Sequence, residues 1–181
     1  MRIVAGKYKG RRLAAPKGTG TRPTADKVRE ALFSILGDIE GEAVLDLFAG
    51  TGALGLEALS RGASSAVLVE QDRKVCRVAS DNVEVVTGGD GSARVECAEA
   101  IRFLGRAREQ AFDLVFLDPP YAEIPRLDEL LATELPRVLR PGARVVAESD
   151  RRAPLELAES PLALSSERRY GDTLLRIFNA P

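Results

Sequence analysis

The feature that most constrains the fold is a repeated alternation of short apolar runs with stretches of helical periodicity. The apolar runs, each of five or six residues, lie at 43–48, 66–70, 93–97, 112–117 and 143–148. The helical stretches that separate them lie near 53–61, 72–86, 99–108 and 124–139. This alternation is typical of βαβ units, in which helices bury both faces of parallel strands. The sequence therefore predicts an α/β domain built on a mostly parallel sheet.

The two ends of the chain depart from this alternation. Segments 162–169 and 173–179 are strand-like and separated by a short turn, so they predict an antiparallel hairpin at the sheet edge. Near the N-terminus, segments 3–5 and 9–14 predict a second, smaller hairpin, and the periodicity of 24–36 predicts a helix. We therefore divide the chain into a small basic N-terminal hairpin or arm, 1–20, and a main domain, 21–181.

Positive charge is concentrated in the N-terminal arm. The whole chain is nearly neutral, with 26 Lys and Arg against 27 Asp and Glu, yet residues 1–25 hold seven basic residues and no acid. A basic arm on an acidic body favours nucleic-acid binding, because neutralised phosphates release counterions. The alternative is a solvated basic tail. The candidates for nucleic-acid contact are Lys7, Lys9, Arg11, Arg12 and Arg22.

Missing residue types exclude several kinds of chemistry. The chain has no histidine, which excludes a Ser-His-Asp triad, a His-ligated zinc site and an imidazole general base. Its two cysteines, Cys76 and Cys97, are expected to be buried, reduced thiols of a cytoplasmic protein. No apolar run approaches the roughly 20 residues of a membrane span, and the N-terminus has no signal-peptide core. We expect chemistry based on carboxylates, backbone groups or a bound cofactor, without a metal ion or a membrane.

A glycine-rich loop, DLFAGTGALG at 46–55, follows the first predicted strand and opens a helix. Its glycines allow a tight turn and let a ligand approach the backbone closely. Glu70 ends the second predicted strand, 20 residues after Gly50, where a carboxylate can bind a ribose diol. This pattern fits either a dinucleotide or S-adenosylmethionine.

Asp46 favours S-adenosylmethionine over a dinucleotide. A carboxylate four residues before Gly50 would repel a pyrophosphate, whereas it could orient the ammonium group of an amino acid, directly or through water. The alternative is that Asp46 only accepts hydrogen bonds from amides of the loop.

A second motif, DPPY at 118–121, ends the fourth predicted strand, at the edge where open α/β sheets bind ligands. Asp118 and the carbonyl of Pro119 could each accept a hydrogen bond from an exocyclic amine, freeing its lone pair to attack a methyl sulfonium. Pro119 and Pro120 restrict the backbone, so these acceptors are aimed before substrate binds. Tyr121 offers a ring on which an extruded base can stack. The alternative is a turn that ends the strand, with Tyr121 in the core.

Four segments carry a family resemblance that runs over essentially the whole chain. They are RIVAGKYKGRRL (2–13), RPTADKVREALFSIL (22–36), LDLFAGTGALGLEALSRGA (45–63) and VFLDPPY (115–121). The chain resembles class I S-adenosylmethionine-dependent methyltransferases, and more narrowly the bacterial 16S rRNA guanine-N2 methyltransferases, the D type among small-subunit rRNA methyltransferases. This resemblance implies a Rossmann-like, seven-stranded sheet that is mostly parallel, with an antiparallel last strand.

The resemblance also implies roles for individual residues. The residues assigned to catalysis are Asp118, Pro119, Pro120 and Tyr121. The residues assigned to the cofactor are Thr24, Asp46, Phe48, Ala49, Gly50, Thr51, Gly52, Glu70, Gln71 and Glu99. Glu99 is one methylene longer than the Asp or Asn usual at its position near the adenine.

The implied partner is 16S rRNA or the small ribosomal subunit, on which the protein is expected to act as a monomer. Three alternatives stay open from the sequence. DPPY is shared with adenine-N6 methyltransferases that act on DNA or RNA, and the glycine loop with Glu70 also suits an NAD-dependent oxidoreductase. The third alternative is a binding module in which the methyltransferase fold is catalytically silent.

Overall fold

In the computed structural model, seven strands and five α-helices lie in the described residues, 1–15 and 23–181, with the backbone alone described at 23–26. The strands are β1 (Ala43–Asp46), β2 (Ser65–Glu70), β3 (Ala93–Cys97), β4 (Phe112–Leu117), β5 (Leu139–Asp150), β6 (Ala163–Tyr170) and β7 (Thr173–Asn179). The helices are α1 (Pro23–Leu36), α2 (Ala53–Ser60), α3 (Arg73–Thr87), α4 (Ala100–Leu104) and α5 (Ile124–Val138), and a 3-10 turn spans Tyr121–Glu123.

All seven strands belong to one sheet, in the order β3-β2-β1-β4-β5-β7-β6. The four neighbouring pairs β3–β2, β2–β1, β1–β4 and β4–β5 are parallel. Strand β7 is antiparallel to both of its neighbours, β5 and β6. The predicted α/β fold, with its C-terminal hairpin at the sheet edge, is therefore confirmed. No helix of the described residues is long and apolar enough to cross a membrane.

Helices cover both faces of the sheet, and alternate residues of each strand enter different layers of the core. On β1, Val44 packs into the layer that contains α1 and α2, whereas Leu45 packs into the layer that contains α5. On β4, Phe116 lies in the first layer and Leu117 in the second. Burial on both faces explains why these strands read as continuous apolar runs.

The N-terminal segment differs from the predicted hairpin of two strands. Its two limbs meet in a single antiparallel bridge, between Arg2 and Arg12, and form no regular strands. The reason is that the backbone N–H groups of Val4 and Ala5 donate to the carboxylate of Glu57 in α2, at 2.7 and 3.0 Å, instead of to a neighbouring strand.

The same segment is packed onto the main body of the protein. Ile3 and Leu13 are buried in the core layer that contains α1 and α2. Ser60, the last residue of α2, accepts hydrogen bonds from the N–H groups of Lys7 and Tyr8. Residues 1–15 therefore form a docked hairpin that presents its basic side chains from a fixed backbone.

The expectation of two buried, reduced thiols is wrong. Cys76, in α3, and Cys97, the last residue of β3, are joined in a disulfide, and Cys97 is exposed. Helix α3 packs beside β3, which brings the two Cα atoms to 5.9 Å, within the usual range for a disulfide. The cysteines therefore give no support to a reducing compartment.

Candidate active site

Four adjacent strands bring a carboxylate to one edge of the sheet. Across the sheet these are Glu70 at the end of β2, Asp46 at the end of β1, Asp118 directly after β4, and Glu148 near the end of β5. The carboxyl ends of parallel strands meet at one edge, so four chain segments that are distant in sequence become neighbours. The candidate site is therefore strongly acidic.

The glycine loop is held against this edge by Glu70. One carboxylate oxygen accepts the N–H of Gly50 at 3.0 Å, and the other accepts the N–H of Asp72 at 2.8 Å. Gly50 has φ of 53°, and the space where a Cβ would stand is open for 4 Å. Gly52 also has positive φ, and a Cβ there would lie 2.9 Å from the side chain of Leu68. The loop thus packs tightly on β2 while its tip leaves room for a ligand.

Asp46 is buried behind this loop and is only 1% exposed. One oxygen of its carboxylate accepts the N–H of Gly55 at 3.0 Å. Asp46 therefore makes the hydrogen bond to a loop amide that was expected if it had no role in ligand binding. Burial raises the pKa of Asp46 to about 7; the Gly55 hydrogen bond opposes this shift, and the nearby Asp118 and Glu70 add to it. A positive charge brought into the loop would favour the ionised form of this carboxylate.

A first cavity opens beside the loop, and its lining is both apolar and acidic. The lining residues are Leu47, Phe48, Val69, Glu70, Gln71, Ala98, Glu99, Ala100, Asp118, Pro120, Glu123 and Leu127. Four of these residues are acids, and none of the described lining residues is Lys or Arg. Such a lining suits a cationic ligand and disfavours a pyrophosphate. The side chain of Glu99 also caps α4, because it accepts the N–H of Arg102 at 3.2 Å.

A second cavity, of about 370 Å³, meets the first at Asp118, which lines both. Its volume is in the range of small-ligand sites. The residues around it include Arg29, Tyr121, Glu148 and Tyr170. Solvent reaches Asp118 along the cleft, but the surrounding protein desolvates its carboxylate and raises its pKa to about 6.

The structure brings most of the predicted site residues to these two cavities. Phe48, Glu70, Gln71, Glu99, Asp118 and Pro120 line the first cavity, and Tyr121 lines the second. Ala49, Gly50, Thr51 and Gly52 form the loop beside them, and Pro119 is buried next to Asp118. The side chain of Thr24, and all of Arg22, lie outside the described residues. Within the described residues, no group of three or more His, Cys, Asp or Glu is arranged to hold a metal ion.

Sequence reasoning missed Glu148 and Glu123. The signal for Glu148 was present, since it ends the apolar run 143–148 as Asp46 ends an earlier strand. Ligands of open α/β sheets bind at the carboxyl ends of the strands, so a search for acids at those ends would have found Glu148. Glu123 gave no comparable signal, because it belongs to the 3-10 turn that only the structure places at the cavity.

The basic side chains of the docked hairpin fall into two groups. Arg11 is engaged by the protein: its guanidinium donates to the backbone carbonyls of Val85 and Val86 and stacks on the ring of Tyr8. Lys7 also lies over Tyr8, with its Nζ 4.7 Å from the ring centroid. All four of these residues are exposed, and the contacts with Tyr8 distinguish Lys7 and Arg11 from Lys9 and Arg12.

The strand order and the paired cavities are those of the class I methyltransferase fold. The acidic lining of the first cavity fits a ligand that carries positive charge. The family described as "Conserved hypothetical protein 95" matches residues 1–179, and the chain belongs to this family.

Similar proteins carry related names. The chain is 38% identical over 181 residues to a Bacillus subtilis protein named "Putative rRNA methyltransferase YlbH", covering 98% of both chains. It is 34% identical over 184 residues to the Haemophilus influenzae "Ribosomal RNA small subunit methyltransferase D", covering 98% of this chain and 93% of the relative. A solved structure described as "Putative methyltransferase yhhF from Escherichia coli" matches with a TM-score of 0.84 and 35% identity, covering 99% of this chain and 97% of that one.

Proposed function

We propose that this protein transfers a methyl group from S-adenosylmethionine to the exocyclic N2 of a guanine in 16S rRNA, within an assembled or assembling small ribosomal subunit in the cytoplasm. The observation that carries the proposal is the position of Asp118, which lines both the first cavity, proposed here for the cofactor, and the second cavity. A base in the second cavity would have its amine beside the carboxylate that also faces the cofactor.

The two cavities suit methyl transfer to an amine. S-adenosylmethionine supplies an electrophilic methyl group on a sulfonium. The Asp118 carboxylate and the Pro119 carbonyl would each accept one N–H of the amine, which favours a pyramidal nitrogen with an available lone pair. As the new C–N bond forms, the C–S electron pair stays on sulfur. The methylated nitrogen then loses a proton to Asp118 or to water.

Tyr121 gives the second cavity an aromatic wall. The residue is 46% exposed, so its ring offers a face on which a base taken out of an RNA stack could rest. An exocyclic amine in a paired base cannot reach a carboxylate in a cavity, so the target guanine must be unpaired or flipped.

The proposal of ribosomal RNA as substrate is supported by the relatives, which are named as rRNA methyltransferases. The docked hairpin adds a basic surface of fixed geometry. We propose that the exposed Lys9 and Arg12 contact RNA phosphates, while Lys7 and Arg11 support the hairpin through Tyr8 as well as adding charge. Arg22 belongs to the same proposed surface.

Nucleoside mass spectrometry tests the product. The purified protein is incubated with labelled S-adenosylmethionine and small subunits from cells that lack the gene. The expected product is N2-methylguanine in 16S rRNA, and the same particles from cells with the gene should accept no label. Methyl label found only on adenine N6, or only on DNA, would contradict the proposal. Calorimetry with S-adenosylmethionine and with NAD tests the cofactor independently, and tight binding of NAD alone would favour an oxidoreductase.

The role of Asp118 is tested by Asp118→Ala. We expect cofactor affinity close to that of the wild type and loss of turnover, because the amine loses its charged acceptor. Activity within tenfold of the wild type would show that this carboxylate does not have the proposed role. If the wild type itself showed no methyl transfer, the alternative of a catalytically silent binding module would be favoured.

The phosphate contacts are tested through the salt dependence of RNA binding. Each of Lys9→Ala and Arg12→Ala should lower the slope of log K against log salt by roughly one unit. The matched control is Arg108→Ala, because Arg108 is exposed and lies between α4 and β4, whereas the hairpin packs into the other core layer, with α1 and α2. An unchanged slope in both hairpin variants would show that Lys9 and Arg12 make no phosphate contacts and that the arm is a solvated basic segment.

A further inference from the structure

We infer that Glu148 reads the N1–H group of the target guanine and thereby makes the second cavity selective for guanine over bases whose N1 carries no hydrogen. This inference rests on the proposed function, because it takes guanine N2 as the methyl acceptor. It concerns a residue that neither the glycine loop nor the DPPY motif includes.

The sheet register places Glu148 beside Asp118. Leu117 of β4 is paired with Ala147 of β5, so the next residues along these parallel strands are Asp118 and Glu148. Neighbouring strands lie about 4.8 Å apart. Phe116 and Val146, two residues earlier on each strand, both pack into the core layer that contains α1, so Asp118 and Glu148 project toward this same side.

Both carboxylates line the second cavity, together with Tyr121. The surroundings of Glu148 desolvate it, and together with the nearby Asp118 they raise its pKa to about 7. Two adjacent carboxylates repel each other unless a proton or another donor lies between them. The pair therefore holds a proton readily, and a ligand with two adjacent N–H donors could take the place of that proton.

Guanine presents this pattern of donors. On its Watson–Crick edge, N1–H stands directly beside the N2 amine, and both point outward in the plane of the base. With Asp118 accepting from N2, the adjacent carboxylate is placed to accept from N1. Above its pKa of about 7, Glu148 is ionised and can only accept hydrogen bonds, so it satisfies N1–H and repels the lone pair of a ring nitrogen without hydrogen. Adenine carries such a lone pair at N1, beside its own amine.

Sites built around a substrate N–H discriminate strongly, because an analogue without it leaves a buried polar group unpaired. 2-Aminopurine is the informative analogue here, since it keeps the amine at C2 and lacks the N1 hydrogen. Small subunits are reconstituted around 16S rRNA that carries guanine or 2-aminopurine at the methylated position, once that position has been mapped. At about pH 8.5, above the pKa of Glu148, the wild type should prefer guanine by roughly 100-fold or more in kcat/KM.

The substitution Glu148→Gln should reduce this preference to below about tenfold, because the amide can turn its NH2 group toward N1. Glu148→Ala should also lose the preference, with lower activity on both substrates. The ratio of the two substrates is measured within one preparation, so partial misfolding of a variant does not change it. Asp150→Asn is the matched control: it removes one charge from the same strand, and the Asp150 side chain accepts a hydrogen bond from the N–H of Arg152 within its own turn. This control should keep the wild-type ratio.

Inosine supplies a second readout that needs no turnover. It keeps N1–H and lacks the amine, so inosine-substituted particles should inhibit the wild type competitively and inhibit Glu148→Ala at least tenfold less. An unchanged guanine preference in both Glu148 variants, with unchanged inosine inhibition, would overturn the inference. The proposed function fails separately, if the wild type forms no N2-methylguanine at all.

Discussion

The side-chain amide of Asn82, in α3, donates a hydrogen bond of 2.9 Å to the backbone carbonyl of Thr51 in the glycine loop. The same side chain holds the end of the docked hairpin, since its Nδ2 donates to the carbonyl of Ala14 at 3.1 Å and its Oδ1 accepts the N–H of Ala14 at 2.8 Å. Asn82 is 2% exposed. One buried residue thus connects the proposed RNA-binding segment to the glycine loop.

We predict that Asn82→Ala destabilises the glycine loop and the hairpin together. Three hydrogen bonds are lost and backbone groups of Ala14 and Thr51 lose their partner, so the free energy of unfolding should fall by about 2–4 kcal/mol. Affinity for S-adenosylmethionine should fall as well. Urea denaturation and calorimetry measure the two effects. The control is Asn179→Ala, an exposed position in β7, which should change neither by much. Unaltered cofactor affinity in a folded Asn82→Ala variant would show that the link does not support the loop.

Gly6 and Gly10 provide a matched pair of substitutions in the hairpin. Both have positive φ, 80° and 85°, so alanine costs about 1–2 kcal/mol of backbone strain at either position. At Gly6, a Cβ would also lie 1.7 Å from the carbonyl oxygen of Ser60, whereas at Gly10 nothing lies within 4 Å. Gly6→Ala should therefore undock the hairpin from α2, and Gly10→Ala should leave it docked. Limited proteolysis near the N-terminus measures this difference. Equal protection of the two variants would contradict the docking described for Ser60.

The stability of the protein without cofactor should fall as the pH rises from about 4 to about 7. The pKa of Asp46 is raised to about 7 in the folded protein, so the neutral form is favoured there and ionisation disfavours folding. The stabilising contribution is complete below the unfolded pKa, near 4, and is lost as the pH passes through about 7. Bound S-adenosylmethionine, which is cationic at the sulfonium, should oppose this loss, so its stabilising effect should be larger at about pH 8 than at about pH 5.5.

Thermal unfolding with and without the cofactor, between about pH 5 and pH 8, measures this dependence. Asp46→Asn is the control, because the amide oxygen can still accept the N–H of Gly55 while the ionisation is removed. The pH dependence should become shallower in this variant. If wild type and variant showed the same slope, Asp46 would not be the group responsible.

The disulfide between Cys76 and Cys97 should make stability sensitive to reductant. It closes a segment with a sequence separation of 21 residues, and the loss of such a constraint costs about 3 kcal/mol in the chain-entropy description. Cys97→Ser is the preferred variant, because Cys97 is exposed and the substitution leaves no core cavity. Dithiothreitol should lower the urea midpoint of the wild type and leave that of Cys97→Ser unchanged. A wild-type urea midpoint that is unchanged by dithiothreitol would contradict a stabilising disulfide.

Much of the fold was predictable because the apolar runs and helical periodicities of the sequence depend directly on which residues are buried. The run 112–117 is apolar at nearly every position, as expected for a strand with helices on both faces, and the structure places β4 there at Phe112–Leu117. The strand predicted at 143–148 extends over Leu139–Asp150, since pairing with the C-terminal strand β7 continues to Asp150 and Leu139 pairs with Phe112 of β4. Polar residues can join a strand when a neighbour supplies hydrogen bonds, and no local pattern contains that information.

The sequence alone determined the parallel α/β layout, the glycine loop and the DPPY motif at 118–121, because each depends on residues close together in the chain. The tertiary structure alone decided which distant carboxylates become neighbours, that Glu57 captures the backbone of the N-terminal segment, and that two cysteines meet. These contacts join segments tens of residues apart. Their formation depends on strand order and helix packing, which fix positions in space that spacing along the chain does not encode.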